Sequence, residues 1–531
     1  METPSLSRRN ALKVSLFGAA ALALPFQGVL SASSASRIAS SKLPRPYTLP
    51  FRKPPVLATT PTSDPTTDYY VVRQQAFVGE ILPGVKTPLF GYNGTVPGPT
   101  IKATKGRRTV VRQINDLPEL HPALGYVPWT STHLHGMPSE PQYDGYAGDN
   151  SQPGQWKDYV YPNSCEARTL WYHDHGVHHT AENVYMGLAA QYHLTDDVET
   201  GLKIPKDDYD VPLMLADAAF ASSGALLWDD NSHSGIYGDV ILVNGVPWPT
   251  MKVEQRKYRF RVLNASVARG FKLKLSNGQP FQVIATDGGF MASPQTVTQI
   301  TVGMAERYEI VIDFEKITAG QKIQLVNLGV KNAVDYDHTG KVVQFEVSGP
   351  ATSKANNEVP DTLAPLHPAM ALKVTPGLTK RYLRLQRTGE LWTINGQTWK
   401  DVEDKEYNPV FANPQPGDVE IWDVENKSGG WFHPLHIHLV DFQVVSRNGN
   451  PPRPEERGPK DVVYVGEGET VRLLMQFSRP EGPHGRYMIH CHNLSHEDHD
   501  MMTQFQVGSH DPDCDPIYKA PPQWGPAPVT F

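Results

Sequence analysis

The chain has 531 residues and a formal net charge of −7. That length is enough for two to four domains, and the mildly acidic balance excludes a partner bound through charge alone, such as nucleic acid. Proline (47) and glycine (43) favour short strands and frequent turns over long helices.

The N-terminus reads as a targeting segment. Ser7-Arg8-Arg9-Asn10-Ala11-Leu12-Lys13 precedes an apolar run from Val14 to about Phe26, and small residues from Ser31 to Ala35 offer a cleavage region. This is a twin-arginine signal over residues 1–35. It implies export from a bacterial cytoplasm, to the periplasm or the medium. No long apolar run follows, so no membrane span is expected in the mature chain. Residues 36–65, rich in Ser, Pro and Thr, read as a flexible arm.

A repeat follows. Asn93-Gly94, Asn244-Gly245 and Asn395-Gly396 recur 151 residues apart. After each comes an alternating run that ends in asparagine: Thr109 to Asn115, Tyr258 to Asn264 and Val419 to Asn426. Period-two alternation between turn signals predicts sandwich or barrel domains. Three copies predict three domains, at 66–200, 201–360 and 361–510, with Gly349 to Leu366 as the second linker and 511–531 as a tail.

Histidines mark two of the three copies. His133-Leu134-His135 and His173-Asp174-His175 lie in the first. His433-Pro434-Leu435-His436-Ile437-His438 and His490-Cys491-His492 lie in the third, the latter followed by His496 and Met501. A lone H-x-H is usually a surface or core pair; four such motifs in one chain predict metal. A cysteine, a histidine five residues on and a methionine ten residues on form the ligand set of a blue copper site. Alternate side chains of an extended segment face opposite ways. Cys491 then faces one metal while His490 and His492 face others. The middle copy has no H-x-H, so a shared cluster is expected between the first and third domains. His178, His179, His193, His484, His499 and Met502 lie near the motifs but outside their spacing. Of the three cysteines, Cys491 is assigned to metal. Whether Cys165 and Cys514 form a bridge is open from sequence.

Together the motifs resemble the multicopper oxidases, over roughly residues 66–510. The resemblance implies an all-β chain of three cupredoxin-like (Greek-key β-barrel) domains and four coppers. It gives the type 1 copper to His433, Cys491, His496 and Met501, and the type 2 copper to His133 and His436. It gives the type 3 pair to His135, His173, His175, His438, His490 and His492. Trp171 to His175, Thr180 to Asn183, Gly430 to Pro434 and His496 to Met502 resemble bilirubin oxidases and bacterial spore-coat laccases in particular. In those enzymes the positions of Asp144 and Glu497 hold acidic residues near the oxygen-reducing cluster. A proton-carrying role follows for both, with a structural carboxylate as the alternative.

The implied activity is one-electron oxidation of phenolic, aminophenolic or bilirubin-like donors, coupled to four-electron reduction of O2 to water. The implied enzyme is a monomer whose only partners are the small-molecule donor and O2. Ring edges of His433 and His496 are expected near the surface. Two alternatives share the fold. A cuprous-ion oxidase is disfavoured by the 12 unclustered methionines. A non-enzymatic copper-binding scaffold is disfavoured by the intact ligand set.

Overall fold

The computed structural model describes residues 30–31, 35–478, 482–509 and 522–524. The sequence repeat appears as a repeat of backbone geometry. In each copy one strand pairs in parallel with the run that ends in asparagine. These pairs are Thr67–Gly79 with Arg108–Asp116, Asp210–Ala218 with Lys257–Asn264, and Thr379–Thr388 with Val419–Asn426. Asn93, Asn244 and Asn395 have φ of 52°, 50° and 55°, and each precedes a left-handed glycine. Asparagine and glycine are the residues that tolerate this turn. Each asparagine side chain accepts an N–H from the first strand of its pair: Arg73 at 2.7 Å, Met214 at 2.8 Å and Arg384 at 2.7 Å.

The second asparagine of each copy works at the other end. Asn115, Asn264 and Asn426 accept the N–H two residues on, at 3.1, 3.0 and 3.0 Å. The buried Asn264 amide also donates to the carbonyls of Arg269 and Val302, at 2.8 and 3.0 Å. Asn264→Ala orphans these groups and is expected to destabilise the protein by about 3 kcal/mol. A thermal unfolding curve checks it.

The first copy builds two four-stranded sheets, the second a seven- and a five-stranded sheet, and the third a five- and a four-stranded sheet. Facing sheets share one core. In the third copy Leu383, Trp422 and Leu473 of one sheet pack with Leu435, Ile489 and Phe505 of the other. The chain is therefore all-β with three cupredoxin-like domains. The expected barrels are two-sheet sandwiches: among the described residues no sheet closes on itself. No helix of the described residues is long and apolar enough to cross a membrane.

The arm at 36–65 differs from its expectation. It lacks periodicity of its own, yet it is laid along the first two copies by backbone hydrogen bonds. Tyr47 N–H donates to Trp248 at 2.8 Å, Thr250 N–H to Leu49 at 2.8 Å, and Leu57 N–H to Thr100 at 2.9 Å. Its prolines have no N–H to satisfy, and the Pro55 carbonyl accepts from the Thr100 N–H at 2.7 Å. Part of the expected linker is pinned similarly. The Arg256 guanidinium donates to the carbonyls of Ser353, Ala355 and Asn356 at 2.7–3.0 Å. In the tail, the N–H groups of Gln523 and Trp524 donate to Asp158 of the first copy at 2.8 and 3.0 Å. Residues 1–29 and 32–34 of the expected twin-arginine segment, and Cys514, lie outside the described residues. Cys165 is buried, its sulfur 3.9 Å from that of Met137.

Candidate metal centre

Strand Gly485–Cys491 lies antiparallel to His433–Ile437, with Leu435 opposite Cys491 and His436 opposite His490. The alternation expected from sequence is present. Cys491 packs into the core of the third copy, together with Met501. His433 Nδ1 lies 3.3 Å and His496 Nδ1 3.7 Å from the Cys491 sulfur, and the two nitrogens are 3.2 Å apart. Their other ring nitrogens are engaged: His433 Nε2 by the Ser428 hydroxyl at 2.8 Å, His496 Nε2 by the Ser234 carbonyl at 3.2 Å. Met502 lies on the opposite side, packed with Trp399 and Met488.

Burial sets the charges here. It pushes the Cys491 thiol well above its ordinary value, against the pull of the Asn493 N–H. It pulls His433 down to about 3. A buried thiol between neutral imidazoles suits a soft cation, which deprotonates a coordinating thiol outright.

The other eight motif histidines converge between the first and third copies. Thr132–His135 pairs with Arg168–Asp174, placing His133 opposite His173. Three groups form. Nε2 of His490 lies 3.1 Å from that of His175 and 3.2 Å from that of His438. Nε2 atoms of His133 and His436 are 3.4 Å apart. His135, His173 and His492 bring ring nitrogens within 4.8 Å of one another. His135 Nδ1, His173 Nε2 and both nitrogens of His492 are buried with no hydrogen-bond partner. Burial lowers His133, His135, His173, His436, His438 and His492 well below 6.5, and His175 to about 4. Neutral, orphaned imidazoles aimed at common points are costly unless a metal joins them. The donor set fits copper in all four groups.

Carboxylates brace these rings. Asp144 Oδ2 lies 2.7 Å from His438 Nδ1, and its carbonyl lies 2.5 Å from His133 Nδ1. Its Oδ1 is buried without a hydrogen-bond partner, 3.6 Å from His133 Nδ1. Burial pushes the Asp144 carboxyl well above the usual carboxylate range, with Lys157 pulling the other way. Glu497 stands between His490 and His175, its oxygens 2.8 and 3.5 Å from their Nδ1 atoms. Two carboxylates escaped sequence reasoning. Asp174 accepts from Ser131 N–H at 2.9 Å and the Asn183 amide at 2.9 Å. Asp461 lies 3.0 Å from His135 Nε2, and its carbonyl 2.8 Å from His436 Nδ1. The first could have been suspected from its place between two ligands; nothing local marks the second.

The off-pattern histidines have other partners. His178 meets Glu403 at 3.4 Å, His193 meets Gln191 at 2.8 Å, and His499 meets Asp230 at 2.8 Å. His179 stacks on Tyr126 at 3.9 Å, and His484 lies 3.5 Å from the Gly482 carbonyl. The expectation of exposed ring edges is corrected: His433 and His496 are fully buried. The segment around Ser234 from the middle copy covers His496, and Trp392 stacks on its face at 3.8 Å.

Sequence profiles of the family described as multicopper oxidase match residues 77–197, 211–334 and 374–511. The chain is 41% identical to a bilirubin oxidase of Albifimbria verrucaria, covering 86% of this chain and 80% of that protein. It is 34% identical to a laccase of Bacillus subtilis, covering 79% of this chain and 90% of that protein. Among solved structures, the McoA multicopper oxidase of Aquifex aeolicus superposes with a TM-score of 0.76 at 29% identity. That match covers 86% of this chain and 100% of that one. Four coppers per chain, of types 1, 2 and 3, go with this family, and the histidine groups fit them. The chain belongs to the multicopper oxidases and is an oxygen-dependent oxidoreductase.

Proposed function

We propose that His433, Cys491, His496 and Met501 hold the type 1 copper. His133 and His436 hold type 2. His135, His173 and His492 hold one type 3 copper, and His175, His438 and His490 the other. One observation carries this reading. Consecutive residues of one segment, His490, Cys491 and His492, fall into three different ligand groups. Bound copper supplies one-electron storage at the sulfur site and oxygen reduction at the histidine groups. The chain supplies the path: a few covalent bonds join the Cys491 sulfur to the neighbouring rings.

The donor is a small phenol or aminophenol. A cavity of about 300 Å³, lined by His178, Trp228, Asp230, His233 and His499 among others, opens beside the sulfur site. That is the small end of ligand pockets, which suits one aromatic ring better than a tetrapyrrole. His233 lines this cavity, stacks on His499 at 3.6 Å, and precedes Ser234, whose carbonyl touches His496. An electron leaving the donor crosses one residue to reach a ligand ring. The Asp230–His499 pair can take the phenolic proton. Asp144 and Glu497 relay protons at the other end, where oxygen becomes water. The enzyme acts as a monomer, exported by the twin-arginine route.

A donor panel with oxygen uptake tests the substrate class: methoxyphenols and aminophenols should outpace bilirubin and cuprous ion in kcat/KM. Bilirubin or cuprous ion as the best donor would overturn it. Met501→Leu removes a weak thioether ligand and should raise the type 1 potential. A redox titration checks this, and an unchanged potential would exclude Met501 as a ligand.

A further inference from the structure

The middle domain carries no copper ligand, yet its Arg307 reaches both ligand-bearing domains. Arg307 is fully buried and all five of its N–H groups are used. Nε donates to the carbonyl of Thr169 at 3.0 Å, on the strand that carries His173. Nη1 and Nη2 grip the two oxygens of Asp461 at 2.6 and 2.5 Å. The remaining two donate to the carbonyls of Ala305 and Asp287 at 3.1 Å each. Asp461 in turn meets two motif histidines. Its carboxylate accepts from His135 Nε2, which leaves His135 Nδ1 as the free, orphaned nitrogen. Its carbonyl accepts from His436 Nδ1, which leaves Nε2 facing His133. The fit is close. A Cβ on Gly136, next to His135, would stand 2.6 Å from Arg307 Nη2 and 2.9 Å from Asp461 Oδ2.

We propose that Arg307 is a positioning residue for the oxygen-reducing cluster: through the Asp461 carboxylate it fixes which nitrogen of His135 faces copper, and by anchoring that residue it holds in place the main-chain carbonyl that meets His436. The inference rests on the copper assignment above. A fork that spans two carboxylate oxygens locks a rotamer, and the locked carboxylate sets the imidazole tautomer. The middle domain thus aligns ligands that the other two supply.

The test uses holoenzyme of Arg307→Met, Arg307→Lys and Asp461→Asn, with Lys460→Met as the control. Lys460 is buried in the same domain interface, on Asp287 and Glu306 at 2.9 and 3.0 Å; it shares Asp287 with Arg307 and with the Asp461 N–H, but its own ion pairs are to carboxylates and not to a ligand histidine. Copper retention against a chelator and the type 2 electron paramagnetic resonance signal are read beside the type 1 band. Arg307→Met and Asp461→Asn should keep the type 1 band and hold cluster copper roughly 10–100-fold less tightly, and Arg307→Met, which also frees the main chain that meets His436, should in addition shift the type 2 signal. Arg307→Lys, a point charge without the fork, should recover only part. Lys460→Met should lower the Tm and leave the type 2 signal as in the unsubstituted enzyme. Unchanged type 2 signals and retention in Arg307→Met and Asp461→Asn would overturn the proposal. So would a Lys460→Met signal shifted as far as that of Arg307→Met, since the effect would then be general to the interface. Should Arg307→Met fail to fold, the isosteric Asp461→Asn decides alone. An unsubstituted enzyme with no type 2 signal would sink the copper assignment itself.

Discussion

Cys491→Ser is expected to abolish the intense visible band and donor oxidation together, while copper falls only from four to about three per chain. The sulfur is the one soft anionic donor of its group, and a serine hydroxyl is a poor substitute for copper. The eight histidines of the interdomain groups are untouched by the change. Burial that already disfavours the free thiolate also means that no exposed surface rearranges. Elemental analysis and the visible spectrum check both halves. A variant that keeps its band would place the sulfur site elsewhere; one that loses all copper would show that the groups fill as a unit.

Asp144→Asn should cut oxygen-driven turnover by roughly 10²–10⁴-fold, the usual loss on removing a general acid. The amide keeps the shape beside His438, where Oδ2 now lies 2.7 Å from Nδ1, but carries no exchangeable carboxyl proton. Reduction of the sulfur site by donor should stay near normal, because that site lies in the core of the third copy. The blue colour should therefore bleach during turnover. Stopped-flow spectra under air test this. Turnover at the normal rate would make Asp144 a brace for His438 and His133 and nothing more.

The grouping of the motif side chains was legible because alternation in a strand is a local rule: Cys491 had to face away from His490 and His492, and it does. The threefold repeat was legible because Asn-Gly turns and strand-ending asparagines are local too, and each asparagine makes the same bonds in all three copies. What escaped was long-range. Arg307 and Asp461 are 154 residues apart and carry no pattern of their own. The cover over His496 comes from Ser234, in a copy without motifs, so sequence pointed to an exposed ring edge where the structure buries it. The arm at 36–65 looked free because its partners, Trp248, Thr250 and Thr100, lie far along the chain.

Three consecutive residues, His490, Cys491 and His492, fall into three ligand groups. An anomalous difference map at the copper edge, from crystals of the copper-loaded enzyme, shows whether each of the three holds copper. Four peaks are expected: one among His433, Cys491 and His496, and three among the eight histidines between the first and third domains. A missing peak in any of these groups, or copper at an off-pattern histidine such as His193 instead, would contradict the copper assignment.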